Sequence, residues 1–388
     1  MNERYRWVML SLAFLTGMTL HLTLFSYSPL IGNVISDLHV THLEAGAAFS
    51  AMVVSLLTVR VLWGFLVDRF GLVWIMKAST LLIGVSGILR GFAFDYVTFM
   101  MFQLLIGVGL GAILPCLTKI VSSWFPSGSR GLPTGIYVAG FPVGGMIALT
   151  VTPLLLNNSW EWRGILQLYG IWCLILMCLW WFIGKELKYS YLNQRASIGQ
   201  VFKKILRLKS TWILAGIMII SMGIYDTLTN WLPYILQSSG VPLEQSSLIT
   251  QMLPLGFLIS SITVGAISDI ARSVKPLILI FSLFSGIAIY TLTNLRVELL
   301  MISVFVVGFC EMALLTIVLK MPTELEETVG MEGGVTGIIS SIANIGPTLF
   351  PVLMGYIKDV TGSFTLALIV LAVLAVTAPL LGFLLKEE

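Results

Sequence analysis

The stretch Thr58-Val59-Arg60-Val61-Leu62-Trp63-Gly64-Phe65-Leu66-Val67-Asp68-Arg69-Phe70-Gly71 places a fixed cation inside an apolar run and closes that run with a charged, glycine-spaced turn. Arg60 precedes Asp68 by eight residues, so in a helix it is rooted about 12 Å from the polar turn. Snorkelling alone hardly covers that distance, and a charge kept at such depth is a candidate functional group.

The depth has this meaning only if the run crosses a membrane, and composition says that it does. The chain is 57% hydrophobic and 11% charged, with a mean hydropathy of +0.97, well outside the range of ordinary water-soluble domains. Apolar runs long enough to span a bilayer fall near 6–30, 44–67, 74–93, 97–122, 132–155, 163–184, 211–237, 246–268, 276–294, 298–319, 333–356 and 364–385. The expectation is an all-α membrane protein of twelve transmembrane helices in two six-helix bundles. The first bundle is expected over residues 1–184, a polar linker over 185–210, and the second bundle over 211–388.

Charge distribution orients the spans. With the N-terminus in the cytoplasm, the inner segments hold 17 of the 22 Lys and Arg residues. The outer segments hold four (Arg90, Arg163, Arg296 and Lys358), and Arg60 is the remaining one. That bias predicts a multi-pass protein of the plasma (inner) membrane with both termini cytoplasmic. The first span is too long for a signal peptide and has no small-residue cleavage site, so it is read as a retained helix. The linker is strongly basic. Its periodic Ile198, Val201, Phe202, Ile205 and Leu206 suggest a short helix lying in the headgroup region. Cys116, Cys173, Cys178 and Cys310 all fall in spans without metal-ligand spacing and read as packing residues.

The two halves repeat. Gly64-Phe65-Leu66-Val67-Asp68 recurs as Gly265-Ala266-Ile267-Ser268-Asp269, an offset of 201, and Lys119 recurs as Lys320 at the same offset. Residues 135–144 (GIYVAGFPVG) match 337–346 (GIISSIANIG) at an offset of 202. Such internal repeats are how many secondary transporters are built.

On these residues the chain resembles the major facilitator superfamily. The superfamily's loop signature, G-x-x-x-D-R-x-G, is met by Gly64, Asp68, Arg69 and Gly71, although the basic pair that usually follows is replaced by Leu72 and Val73. A weaker copy is Gly265, Asp269 and Arg272. The resemblance implies a gate: an aspartate at a helix end accepting from an adjoining helix N-terminus and pairing with an arginine, with glycines that let backbones approach. Span five resembles the antiporter signature only in part, because Phe141 stands between Gly140 and Pro142. Tight packing of a kinked small-residue helix is explanation enough for it. Span four carries Gln103 where many proton-driven members carry arginine at the head of R-x-x-x-G-x-G.

Around Arg60 the pattern looks like the second span of the nitrate/nitrite porters and of the neighbouring anion/cation symporter and cyanate-permease-like branches. In the porters a partner arginine occupies span eight, where this chain has Ser261. The resemblance therefore implies a single-arginine site for a small, monocarboxylate-like anion. The resemblance also places spans one, four, seven and ten around the solute path. Candidate substrate-binding residues are thus Arg60, His21, Asn230, Tyr137 and Asn344. Glu311 and Asp226 are candidate proton-coupling groups, since an ionised carboxylate in hydrocarbon is costly without a counter-charge.

No P-loop, nucleotide-binding lobe or zinc pattern is present, so neither an enzyme nor an ATP-driven pump is expected. No cofactor and no nucleic-acid partner is expected; the partners are an anionic solute, the bilayer and protons, and the protein is expected to be a monomer. The leading expectation is a gradient-driven transporter of a small organic or inorganic anion. Alternatives are efflux of amphipathic drug-like compounds by proton antiport and a non-transporting membrane sensor.

Overall fold

A computed structural model of the chain describes residues 4–126, 129–186, 203–270, 273–294, 297–323 and 332–383. Among these, eleven helices are long and apolar enough to cross a membrane: α1 (Tyr5–Leu38), α2 (His42–Phe70), α3 (Leu72–Arg90), α4 (Tyr96–Trp124), α5 (Gly131–Asn157), α6 (Trp162–Phe182), α7 (Lys209–Ser238), α8 (Leu243–Val264), α9 (Lys275–Asn294), α10 (Leu299–Lys320) and α11 (Val335–Thr361). A twelfth, α12 (Thr365–Phe383), completes the set with a shorter apolar stretch. This is the all-α, twelve-helix architecture read from the sequence.

The chain divides into two compact units, Met1–Ser190 with Pro242–Leu248, and Tyr191–Val241 with Ile249–Glu388. Most of the expected linker lies outside the described residues. Of its apolar positions, Ile205 is buried in the core of the second unit with Leu214, Ile317 and Val318.

Local chemistry sets the helix ends. Thr41 and Glu44 form a capping box at the start of α2, with the Glu44 N–H donating to Thr41 Oγ1 at 3.1 Å and the Thr41 N–H donating to Glu44 Oε2 at 2.8 Å. Asp95 caps α4 through the Thr98 N–H at 2.7 Å. Pro29 opens a tight turn, Ser28–Leu30, that re-aims α1 without ending it, so the first span extends beyond the expected residue 30.

Lipid tails are as apolar as leucine, so burial gives little drive for one membrane helix to seek another, and close approach of small residues takes its place. Three crossings in the first unit do this. A Cβ on Gly144 of α5 would lie 1.9 Å from the Met18 carbonyl oxygen of α1, one on Gly107 of α4 would lie 2.2 Å from that of Met52 in α2, and one on Gly84 of α3 would lie 3.0 Å from that of Gly170 in α6. The second unit repeats all three at the sequence offsets. Gly346 meets Ile219 at 2.0 Å, Gly308 meets Leu253 at 2.1 Å, and Gly286 meets Ala372 at 3.0 Å. The repeat is thus carried by the places where backbones touch.

Alanine at these crossings should drive the helices apart. Gly144→Ala and Gly346→Ala are expected to lower the melting temperature in detergent by several degrees, at a cost of about 1–3 kcal/mol. Gly135→Ala and Gly337→Ala, where an added Cβ meets nothing within 4 Å, should be neutral or slightly stabilising. Equal melting temperatures across the four variants would contradict the packing account.

Candidate functional site

In the first unit the intramembrane polar groups begin with Arg60, in the middle of α2. It is partly buried, its Nε finds no hydrogen-bond partner, and it makes no ion pair among the described residues. Trp63, three residues on, donates from Nε1 to the Val108 carbonyl of α4 at 2.7 Å and fixes the rotation of α2.

His21 lies on α1 between two rings. Its imidazole stacks on Phe141 of α5 at 5.3 Å and meets Phe25 edge-on at 5.2 Å, and its Nδ1 is buried without a partner. Tyr137, one turn from Phe141, meets that ring at 6.3 Å. His21 and Tyr137 are therefore brought together by the α1–α5 crossing.

A second buried cation was not legible in the sequence. Arg90, counted above with the outer loops, is the last residue of α3 and only 1% exposed. Its Nη1 donates to Gln103 Oε1 at 2.8 Å and its Nη2 to Ser26 Oγ at 3.2 Å, while Nε and the Gln103 amide nitrogen have no partner. Gln103 thus serves as an acceptor for a cation supplied by α3. The corresponding place in the second unit has a neutral pair, Thr291 donating to Ser303 at 2.7 Å. Helix pinning there needs no charge, so the charge of Arg90 has no counterpart at this crossing among the described residues.

At the end of α2 the loop signature is assembled differently from expectation. Asp68 pairs with Lys119 of α4 at 2.5 Å, across a cleft of about 550 Å³ lined by Gly64, Phe65, Pro115 and Thr118. The helix N-terminus is capped instead by Glu186, which accepts from the Leu72 and Val73 N–H groups at 2.9 Å each. Gly71 is required for this: its φ of +90° suits glycine, and an added Cβ would lie 3.0 Å from the Glu186 carboxylate. Gly64 faces open space within 4 Å and brings no backbone close. Arg69 sits over the Phe70 ring at 5.3 Å. In the second copy, Gly265 and Asp269 lie in the helix Met252–Ile270, but their side chains, and Arg272 altogether, lie outside the described residues.

In the second unit, Glu311 of α10 is 2% exposed. It accepts from Ser285 of α9 at Oε1 (2.5 Å), its backbone carbonyl accepts from Ser221 of α7 at 2.8 Å, and Oε2 has no partner. Asp226 is partly buried and Asn230 fully buried on α7. Neither carboxylate makes an ion pair among the described residues. Asn344 separates the two helical segments of α11 and donates from Nδ2 to the Ser340 carbonyl at 2.6 Å.

The Major Facilitator Superfamily profile matches residues 12–293 and 214–388, and the chain belongs to this family. It is a transporter of that family and not an enzyme. The chain is 26% identical over 297 residues to the 3-(3-hydroxy-phenyl)propionate transporter of Escherichia coli (strain K12), with 75% of this chain and 72% of that protein covered. It is 24% identical over 346 residues to the gallate transporter of Pseudomonas putida, covering 79% and 75%. It is 25% identical over 370 residues to the hexuronate transporter of Bacillus subtilis (strain 168), covering 89% and 86%. Among solved structures, a bacterial homolog of the human lysosomal transporter Spinster, inward-facing and unoccupied, superposes with a TM-score of 0.80 at 15% identity, covering 98% and 96%.

Arg90 gives a direct test of the pinning. Arg90→Lys offers one ammonium where a fork reaches two acceptors, and should lower stability by about 2 kcal/mol, read as a fall in melting temperature in detergent. A melting temperature equal to wild type would mean that the Gln103 and Ser26 bonds carry no stability.

Proposed function

We propose that the protein is a secondary transporter that moves a small organic carboxylate across the membrane by alternating access, with Arg60 as the charge that receives it. The observation that carries this reading is a guanidinium in the middle of α2 without an ion-pair partner among the described residues. An unneutralised cation at that depth is costly, and a guanidinium fork matches a carboxylate in two parallel hydrogen bonds. The relatives named for hydroxyphenylpropionate, gallate and hexuronate all carry organic acids, which supports the same reading. The efflux alternative rests on the partial antiporter pattern of α5 and on the many aromatic and Met residues, and close packing at the α1–α5 crossing is enough to explain the first of these. We place the protein in the plasma (inner) membrane with both termini cytoplasmic, on the 17 to 4 charge bias. The Asp68–Lys119 pair at the end of α2 is read as part of the gate.

Arg60→Ala is expected to abolish carboxylate uptake into proteoliposomes while the protein stays monodisperse in detergent. Arg60→Lys should recover little, because a point charge cannot replace the fork. Near-normal uptake by Arg60→Ala would remove the anion reading.

We further propose that Glu311 couples transport to protons. It is held by the Ser285 and Ser221 hydroxyls with no ion pair among the described residues, and Oε2 is free to hold a proton in one access state and release it in the other. Glu311→Gln, a permanent mimic of the protonated form, should keep solute exchange and lose accumulation driven by a pH gradient. Gradient-driven accumulation in that variant would turn attention to Asp226 and His21.

A further inference from the structure

A row of rings runs through the interior of the first unit, where the buried Ser50 Oγ of α2 has no partner. Phe49 of α2 stacks on Phe25 of α1 at 6.0 Å, Phe25 meets His21 at 5.2 Å, His21 stacks on Phe141 of α5 at 5.3 Å, and Phe141 meets Tyr137 at 6.3 Å. The row has a closed root and an open end: Phe25 and Phe49 are both 0% exposed, whereas His21 and Phe141 keep accessible surface. Phe141 is the residue by which α5 departs from the family pattern.

Arg60 is aligned with this row. It follows Phe49 by eleven residues, about three helical turns, so the two share one stripe of α2 to within about 20°. Between them on that stripe stand Val53 and Leu56, both buried and apolar. Since α2 runs antiparallel to α1, His21 lies one turn from Phe25 toward the Asp68 end, and Arg60 is rooted about 10 Å further in the same direction. The parallel contacts of Gly140 with Phe14 and Gly144 with Met18 show that Tyr137 is offset from Phe141 toward that end too. The distance suits a ring joined to a carboxylate by a short chain.

A polyhydroxy acid would need a hydrogen-bond partner for each buried hydroxyl. The hydroxyls of α1 are already engaged. Thr16 and Thr19 donate to Leu12 and Leu15 of their own helix and accept from Trp180 and Trp172, and Gln103 gives its carbonyl oxygen to Arg90, which leaves only its amide nitrogen unpartnered.

We propose that the solute is an aromatic monocarboxylate, its ring stacked at the open end of the row on His21 and Phe141 and its carboxylate on Arg60. This rests on the carboxylate reading above and narrows it, setting the chain apart from relatives named for sugar acids. Stacking of this kind is a modest, geometry-dependent gain, expected to change KM by roughly three- to tenfold.

The test uses the full chain in proteoliposomes with labelled 3-phenylpropionate and labelled D-glucuronate. Wild type should carry 3-phenylpropionate in preference, Phe141→Leu should raise its KM roughly three- to tenfold with kcat little changed, and Phe141→Tyr should restore it. As a readout that needs no variant to fold, unlabelled 3-phenylpropionate should compete better on wild type than 3-cyclohexylpropionate, which has similar apolar bulk and no π face. Glucuronate carried as well as 3-phenylpropionate, or equal competition by the saturated analogue, overturns the inference. If transport of either acid still depends on Arg60 in that case, the carboxylate reading stands and only the solute class falls. If neither acid is carried, both fall.

Discussion

Membrane helices cannot be held together by expelling apolar surface from water, because the surrounding lipid is as apolar as they are. The constraint that organises this molecule is therefore close backbone approach at glycine. Gly144 against Met18, Gly107 against Met52 and Gly84 against Gly170 fix how α5, α4 and α3 cross their partners in the first unit, and the same three contacts recur in the second. Two interior contacts of the first unit sit at such close approaches. His21 and Phe141 stack because Gly140 and Gly144 let α1 and α5 touch, and Trp63 reaches Val108 because Gly111 lets α2 lie close to α4.

On that common frame the two units carry opposite charges. The first holds Arg60 and Arg90 in its spans, and the second holds Glu311 and Asp226; none of the four makes an ion pair among the described residues. A structural salt bridge would have paired them locally. Arg90 is engaged by Gln103 and Ser26, whereas Arg60, Glu311 and Asp226 lack a counter-charge at membrane depth, which suits binding of a solute or proton because binding would neutralise them. The difference between Arg90–Gln103 and Thr291–Ser303 makes the same point: equivalent crossings are pinned in both units, but only one uses a charge.

The fold was largely legible because it rests on length, apolarity and spacing, all of which a sequence states directly. The offsets of 201 and 202 were visible in the glycine motifs and reappear as contacts. Much less of the site was legible, for reasons that differ by residue. Arg90 lies three residues before the expected end of its span and was counted with the outer segments, and the acceptors Gln103 and Ser26 on other helices hold it inside. Lys119 and Asp68 are 51 residues apart, and Glu186 reaches α3 across 114, so no local pattern announces either contact. One signal was present and undervalued: the phenylalanine inserted between Gly140 and Pro142 marked the ring that His21 stacks on.

The central claim is that the protein recognises a negative charge, through Arg60, on an organic solute. Counterflow tests it without reference to any coupling ion. Proteoliposomes preloaded with unlabelled 3-phenylpropionate should transiently accumulate the labelled acid, while preloading with 3-phenylpropionamide, nearly the same shape but neutral, should give none. Equal counterflow from the amide would show that the carrier reads shape without charge, and would contradict the account.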